Sequence, residues 1–424
     1  MRIVKSVVMA LPALMLTVGQ VGSVLTVSGV LSAPVYAADK KGEKQVSAKV
    51  GKPLKEALEL AQAKKFKDAM AKVQEAQAIS GKTPYEEYKI NEIVAYVAIN
   101  LQDYATATKA YEATLDSGEL NAAEMKQRLD QLTKIYYQAK NYPKAIQFGN
   151  RYLKDVGSDT EIALLVAQAY YLQKDYPHTI EATESLLKIA NQSGQPIKEE
   201  WLKLLMSSQH EANRDTDAMA TLEQLLAKYP SAAYWRDIFV YLQNEGGSSD
   251  RKSMEMYRLK SMTGVLRDSE YVEMAQLAMA LGFPGDAKNI LEKGFNNKVL
   301  GTGATKDREN RLMTLAQTNS ATDQKGLPTF EKEAIAAAGG DADIKLGEAY
   351  ASYGQYDKAI EAMKRGLKKG NLKAEDEAHL QLGVAYLGAK RNSDAVSEFK
   401  AVSADSKLAH LARLWVIYAQ NNKG

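Results

Sequence analysis

Four aromatic residues, Phe66, Tyr104, Tyr142 and Tyr176, succeed one another at intervals of 38, 38 and 34 residues. Each has a small residue three places on (Ala69, Ala107, Ala145 and Thr179), and Val73, Tyr111, Tyr152 and Thr183 carry the same helical face further. Ahead of each aromatic lies another helical stretch with packing residues of its own: Ala57; Ala95 and Ala98; Leu132 and Tyr136; Ala167 and Tyr170. A period of this length marks repeated two-helix units, none of which can bury its apolar face alone, so that neighbours must stack. At 424 residues and 45% hydrophobic, the chain has room for two or three ordinary domains or for one continuous array. The period selects the array.

The clearest copy is LGEAYASYGQYDKAIEAMKRG at 346–366, with Leu346, Gly347 and Tyr350 on a first helix, a turn at Gly354, and Tyr356, Ala359 and Met363 on a second. Another follows with Leu382, Gly383, Tyr386, Ala395, Phe399 and Val402. A fifth unit (Leu202, Leu205, Ala218, Leu222, Leu225) has Asp215 where the aromatic stands elsewhere, and a seventh has Tyr271, Ala275, Phe283, Ala287 and Leu291. Between these, 233–244 and 249–262 read as a weaker pair split by Glu245-Gly246-Gly247-Ser248. From 297 to 340 the pattern loosens: 301–304 and 318–326 read as loops around one helix near 308–317, with 330–338 a further helix, a degenerate repeat or a junction. Pro53, Pro84, Pro143, Pro177, Pro196, Pro230, Pro284 and Pro328 all read as helix starts, where a missing N–H costs nothing. Thr83 with Glu86 three places on is a capping-box signature. The stretch 408–420 (LAHLARLWVIYAQ) is amphipathic and suits a helix that caps the last pair.

The amino terminus differs in kind. Arg2 and Lys5 precede an uncharged, mostly apolar run from 6 to 38 that contains Val35-Tyr36-Ala37, a small-x-small cleavage pattern. The expectation is a signal peptide at 1–37, with an uncleaved inner-membrane anchor as the alternative; both place the rest of the chain across a membrane. The absence of cysteine excludes disulfides, thiol nucleophiles and an acylated lipoprotein cysteine. The expected location is the periplasm. Without Arg2 and Lys5 the formal charge of +3 falls to about +1, which is no polyanion-binding signature and argues against nucleic acid as a partner. The expected divisions are 1–37 signal peptide, 38–51 flexible leader, 52–296 amino-terminal repeat array, 297–340 degenerate repeat or junction, 341–405 carboxy-terminal repeat pair, and 406–424 capping helix and tail.

On these residues the chain from about 52 to 420 resembles tetratricopeptide repeat proteins, most specifically at 346–402 and 57–187. The resemblance implies an all-α fold, a right-handed superhelical solenoid of helix-turn-helix pairs, whose concave groove is lined by the first helix of each pair and binds a protein or peptide. Aligned on Ala95, Thr133, Ala167 and Met206, the implied groove residues are Glu92, Tyr96, Ile99, Lys134, Tyr137, Leu164, Gln168, Tyr171, Ser207 and His210. The stretch 52–120, with SGKTPYEEYKINE at 80–92, also resembles tetratricopeptide proteins associated with TonB–ExbB–ExbD systems of proteobacteria. Chaperone-adaptor members of the family clamp a terminal carboxylate with Lys and Asn; here those places hold Glu92 with Tyr96 and Asp130 with Lys134, which disfavours that ligand.

Little else points to chemistry. His178, His210, His379 and His410 have no metal-ligand spacing, Gly301-x-Gly303 lacks the rest of a phosphate loop, and no Gly-x-Ser-x-Gly elbow occurs. Neither an enzyme nor a cofactor or metal is expected. Lys364, Arg365, Lys368, Lys369 and Lys373 read as a solvated helix face, with an acidic partner or lipid as the alternative. The 23 tyrosines against seven phenylalanines suit a surface that stacks on apolar side chains while hydrogen-bonding an extended backbone; the alternative is partly buried lining without a ligand. The expectation is a non-catalytic periplasmic scaffold or adaptor that holds a protein partner, possible components being those of a TonB system. Alternatives are a scaffold for envelope biogenesis, such as polysaccharide export, cell-wall or pilus assembly, and a glycan-binding or carbohydrate-active protein.

Overall fold

A computed structural model of the protein describes residues 45–244 and 249–422. The expected signal peptide, the first residues of the leader and Glu245 to Ser248 lie outside the described residues. The chain divides into two compact units, one ending at Ala218 and the other beginning at Met219, a boundary inside the stretch read as one array. The first holds α1 (Ala48–Gln62), α2 (Phe66–Gln77), α3 (Pro84–Asn100), α4 (Tyr104–Asp116), α5 (Ala122–Gln138), α6 (Tyr142–Asp155), α7 (Thr160–Leu172), α8 (Tyr176–Gln192) and α9 (Glu199–Glu211). α10 (Asp215–Lys228) crosses the division. The second unit continues with α11 (Ala232–Asn244), α12 (Asp250–Met262), α13 (Asp268–Ala280), α14 (Pro284–Asn296), a 3-10 turn (Gly303–Thr305), α15 (Lys306–Ala336), α16 (Asp341–Ser352), α17 (Tyr356–Lys369), α18 (Glu375–Gly388), α19 (Asn392–Ala401) and α20 (Ala409–Asn421). Among the described residues there is no strand, and no helix is long and apolar enough to cross a membrane.

One turn, repeated, makes the pairs. Lys64, Gln102, Lys140, Lys174, Asn213 and Lys390 have φ of 59 to 61°, and Gly282 and Gly354 take the same left-handed place at 82 and 71°. At each, the next N–H bonds back across the helix end: Lys65 to Leu60 O at 2.9 Å, Asp103 to Ala98 O at 2.8 Å, Asn141 to Tyr136 O at 2.9 Å, Gln355 to Tyr350 O at 3.0 Å. This is the Schellman closure, which satisfies carbonyls that a helix end would otherwise strand. Asp103, Asn141 and Asp175 then accept from the second helix's first turn as N-caps.

Paired helices pack through small residues. At Gly347 an added Cβ would lie 2.4 Å from Met363 Cγ and 2.9 Å from Ala359 O, so α16 meets α17 almost backbone to side-chain stem. In the first unit α1 touches α3, α5 touches α7 and α7 touches α9 in addition to their sequence neighbours. Lateral contact between first helices puts them on the short-radius side, and their free faces form a concave inner surface. The apolar core runs between the layers, from Val50 and Leu54 through Ala95, Leu132 and Phe148 to Ile162.

Several expectations are corrected. The stretch 297–340 is not two short helices with a loop at 318–326, because α15 runs unbroken through it, past Gly326 and Pro328. Thr314, Thr318 and Thr322 bond back to the carbonyls four residues earlier, and Tyr353 donates to Asp323 Oδ2 at 2.6 Å, which pins the middle of α15 to α16's end. Pro53 and Pro328 lie inside helices. α1 reaches back to Ala48, into the stretch read as a flexible leader, because Val50 is buried and Glu86 Oε1 accepts from Ser47 N at 2.8 Å. Arg365 and Lys369 are not part of a merely solvated face: both pair with the buried Asp343, at 2.7 and 2.8 Å, and Lys369 also caps α15 at Ala334 O and Ile335 O. α11 and α12 meet only thinly among the described residues and are not a stacked pair. α20 packs on α19, with Trp415 stacked on Phe399 at 5.6 Å, and also returns to the start of its unit: Arg413 meets Glu223 at 3.4 Å, and Asn421 donates to Leu226 O at 3.2 Å.

Candidate functional site

On the inner face of the first unit, polar tips join successive first helices. The Tyr137 hydroxyl on α5 donates to Gln168 Oε1 on α7 at 3.2 Å, and the Tyr171 hydroxyl on α7 meets Ser207 Oγ on α9 at 3.1 Å. The two rungs share one register. Each tyrosine lies four places after its helix's packing residue, Thr133 or Ala167, and reaches the residue one place after the next helix's, Ala167 or Met206. Each ring also sits edge-on to the aromatic that opens the following second helix, Tyr142 at 5.9 Å and Tyr176 at 5.8 Å. On α3 the equivalent place is Ile99, which is buried and has no donor; Arg128 Nη2 bridges to Glu92 Oε1 at 3.3 Å instead.

Charge on this face is largely internally matched. Lys134 lies 2.9 Å from Asp130 and 3.0 Å from Glu161; burial works against its charge, but the bonds to both carboxylates outweigh it and raise its pKa. Burial raises that of Asp130. Burial pushes the Tyr137 phenol up to about 12, with Tyr142 beside it adding to the effect. Partly exposed pairs of this kind contribute roughly 0–1 kcal/mol, so they orient side chains more than they stabilise the fold.

The remaining expected residues are spread along the same face. Tyr96 is half-buried and edge-on to Phe66 at 6.4 Å. Leu164 packs against the cluster of Ala163, Leu186, Ala190 and Trp201. His210 Nδ1 is 3.0 Å from Asp215 Oδ1 at the turn into α10. Tyr137 and Gln168 are only 7% and 6% exposed, so their polar groups hold the array together, while Tyr96, Lys134, Leu164, Tyr171, Ser207 and His210 keep part of their surface open. Sequence reasoning missed Arg128, which is buried over the Tyr111 ring at 3.8 Å and whose pKa burial lowers. An arginine five places before a packing residue carries no signal of that role.

In the second unit the matching place on α16, one residue after Gly347, is Glu348. It is only 2% exposed, because Arg251 of α12 covers it with bonds of 2.5 and 3.2 Å. A cleft of about 710 Å³ lies nearby, lined by Lys252, Lys373, Glu375, Glu377, His379 and Lys407 among others. His379 pairs with Glu398 at 2.8 Å, a bond that raises its pKa. Among the described residues no three His, Asp or Glu side chains are grouped to hold a metal.

Paired helices, a shared Schellman turn and small-residue contacts define an all-α solenoid of tetratricopeptide-like helix-turn-helix pairs. A family model described as Tetratricopeptide repeat matches residues 204–232, from within α9 to the start of α11. No curated protein matched the sequence. Similar solved structures include a tetratricopeptide repeat protein from Parabacteroides merdae ATCC 43184, at 11% identity over 79% of this chain and 100% of that one, with a TM-score of 0.29. A structure of Naa15/Naa10 bound to HypK-THB is similar at 14% identity over 86% of this chain and 59% of that one, TM-score 0.32. The TPR2AB-domain:pHSP90 complex of yeast Sti1 is similar at 13% identity over 71% of this chain and 100% of that one, TM-score 0.24. At these scores no residue is carried from those proteins to this one.

Proposed function

We propose that the protein is a non-catalytic scaffold whose first unit holds an extended segment of a partner protein along the inner face from α3 to α9. The observation that carries this is the strip of half-open groups, Tyr96, Lys134, Leu164, Tyr171, Ser207 and His210, on a face where side-chain hydrogen bonds join α5 to α7 and α7 to α9. Aromatic faces supply apolar contact area at low conformational cost, and hydroxyl, ammonium and imidazole tips match a peptide backbone. A preformed surface also spares the partner complex the ordering cost of building one. We place this scaffold in the periplasm, after export directed by 1–37, and propose a TonB-linked inner-membrane complex or outer-membrane receptor as the partner; the support is the leader pattern and the stretch at 80–92.

The test is co-purification with tagged full-length chain from cell-envelope fractions. Tyr96→Ala with Tyr171→Ala removes two open aromatic groups and is expected to lose the partner that wild type recovers. Tyr137→Phe removes one buried hydrogen bond, costs about 1 kcal/mol of stability, and is expected to keep it. Recovery of the same proteins by the double variant would overturn the assignment of this face. Fractionation that finds the chain outside the envelope would overturn the location.

A further inference from the structure

In the second unit, side chains of α14, α16 and α18 engage the chain's own helix α12. Arg251, Glu255 and Arg258 stand at i, i+4 and i+7, one face of that helix. Arg251 forks onto Glu348 and lies 3.8 Å from Glu377. Arg258 bonds Asp286 through Nε at 3.2 Å and Nη2 at 2.5 Å, and Gln381 Oε1 at 2.9 Å. Gln381 in turn donates to Glu255 Oε1 at 2.7 Å. Both guanidinium groups lie over the Phe283 ring, at 5.1 and 5.3 Å. The recognised groups come from α14, α16 and α18, three separate later helices, and Glu348 holds the register place that Tyr96, Lys134, Gln168 and Ser207 hold in the first unit. Spaced anchors on one helix face, read by side chains from several elements, are how a groove recognises a helix.

We infer that the side chains of α14, α16 and α18 form a helix-recognising surface whose occupant is α12 of the same chain, read through Arg251, Glu255 and Arg258, and that this surface is closed to other proteins. Charged pairs suit this role. Buried ion pairs roughly break even against apolar packing, but leaving one partner alone is costly, so they fix which helix sits there and in which register. The second unit thus turns this surface on itself, and partner capture falls to the first.

The test is charge exchange in the full chain, read by trypsin cleavage within α12 and by co-purification. Glu348→Arg sets two cations against each other and is expected to speed cleavage within 250–262 by about tenfold or more, the factor that corresponds to losing about 1.4 kcal/mol. Adding Arg251→Glu is expected to restore protection, at the sites that remain, to within about threefold of wild type. Protection unchanged in the single variant, or not restored in the exchange, would show that α12 is held by packing rather than recognised, and would overturn the inference; a single variant that fails to fold leaves the exchange variant as the deciding measurement. The exchange variant is also expected to recover the same proteins as wild type. Loss of a partner on exchange would show that this face serves other proteins and would overturn the closure. If wild type recovers none, the proposed function fails while the cleavage result still decides the recognition of α12.

Discussion

Asp343→Asn tests how far the second unit depends on a buried charge that its sequence does not advertise. Asp343 sits fully buried in the first turn of α16, with Arg365 Nε 2.7 Å and Lys369 Nζ 2.8 Å from its two oxygens. The asparagine keeps the shape and removes the anion, leaving two cations side by side. Breaking a fully buried pair costs about 3–5 kcal/mol. The Arg365 and Lys369 side chains here are 27% and 20% exposed, so water compensates in part and the expected loss is about 2–3 kcal/mol. Lys369 also retains its bonds to Ala334 O and Ile335 O, which limits the damage to α17's own end. Urea unfolding followed by tryptophan fluorescence is a suitable assay, because Trp235 and Trp415 report the second unit and Trp201 the first. The transition of the second unit should move to lower urea with its slope unchanged, and that of the first should stay. Arg365→Met introduced into the asparagine variant should cost little more, giving a coupling of about 1–2 kcal/mol in the double-mutant cycle. A loss below about 0.5 kcal/mol, or simple additivity of the two changes, would refute the argument that the pair is energetically coupled.

Two further outcomes are expected. Glu86 accepts from Ser47 N and Thr83 N, bonds that hold its carboxyl down at about 2 against an ordinary value of 4.5, the Ser47 bond contributing most. Its folded pKa lies below the unfolded one, so the stabilisation is complete above about 4.5 and fades as pH falls toward 2. Glu86→Gln should therefore melt lower than wild type at neutral pH, by roughly 1–2 kcal/mol, with the two curves converging at the acid end; a gap that stays constant with pH would contradict this. Gly347→Ala should destabilise the second unit by about 1–3 kcal/mol, despite alanine's better helix propensity, because its Cβ would lie 2.4 Å from Met363 Cγ. A thermal midpoint equal to or above wild type would rule that clash out.

The Schellman turns at Lys64, Gln102, Lys140 and Lys174, and the Asp103, Asn141 and Asp175 caps beside them, rest on hydrogen bonds within a few residues of each other. So does the capping box of Thr83 and Glu86. Interactions of that range repeat whenever the local sequence repeats, which is why the all-α paired architecture and the turn positions could be read from spacing alone. The groove residues were legible only as a register. The spacing placed Tyr137 and Tyr171 four places after a packing residue, but their bonds to Gln168 and Ser207 span 31 and 36 residues and depend on how far one pair is displaced from the next.

Where local preference and tertiary contact disagreed, tertiary contact prevailed. Gly326 and Pro328 favour a break, yet α15 continues because Ala316, Ser320, Leu327 and Ala334 are buried along it and Tyr353 holds its middle through Asp323. Pro328 forgoes one backbone bond at a cost near 3 kcal/mol, which such burial can offset. The sequence by itself determined the helix pairs at 57–187 and 346–402 and where each of those pairs turns. Only the tertiary structure decided that α12 is joined to α16 and α18, because the contacts from Arg251 to Glu348 and from Gln381 to Glu255 join residues 97 and 126 places apart. No periodicity encodes such pairs: their energy depends on burial, which exists only once the later helices have assembled around α12.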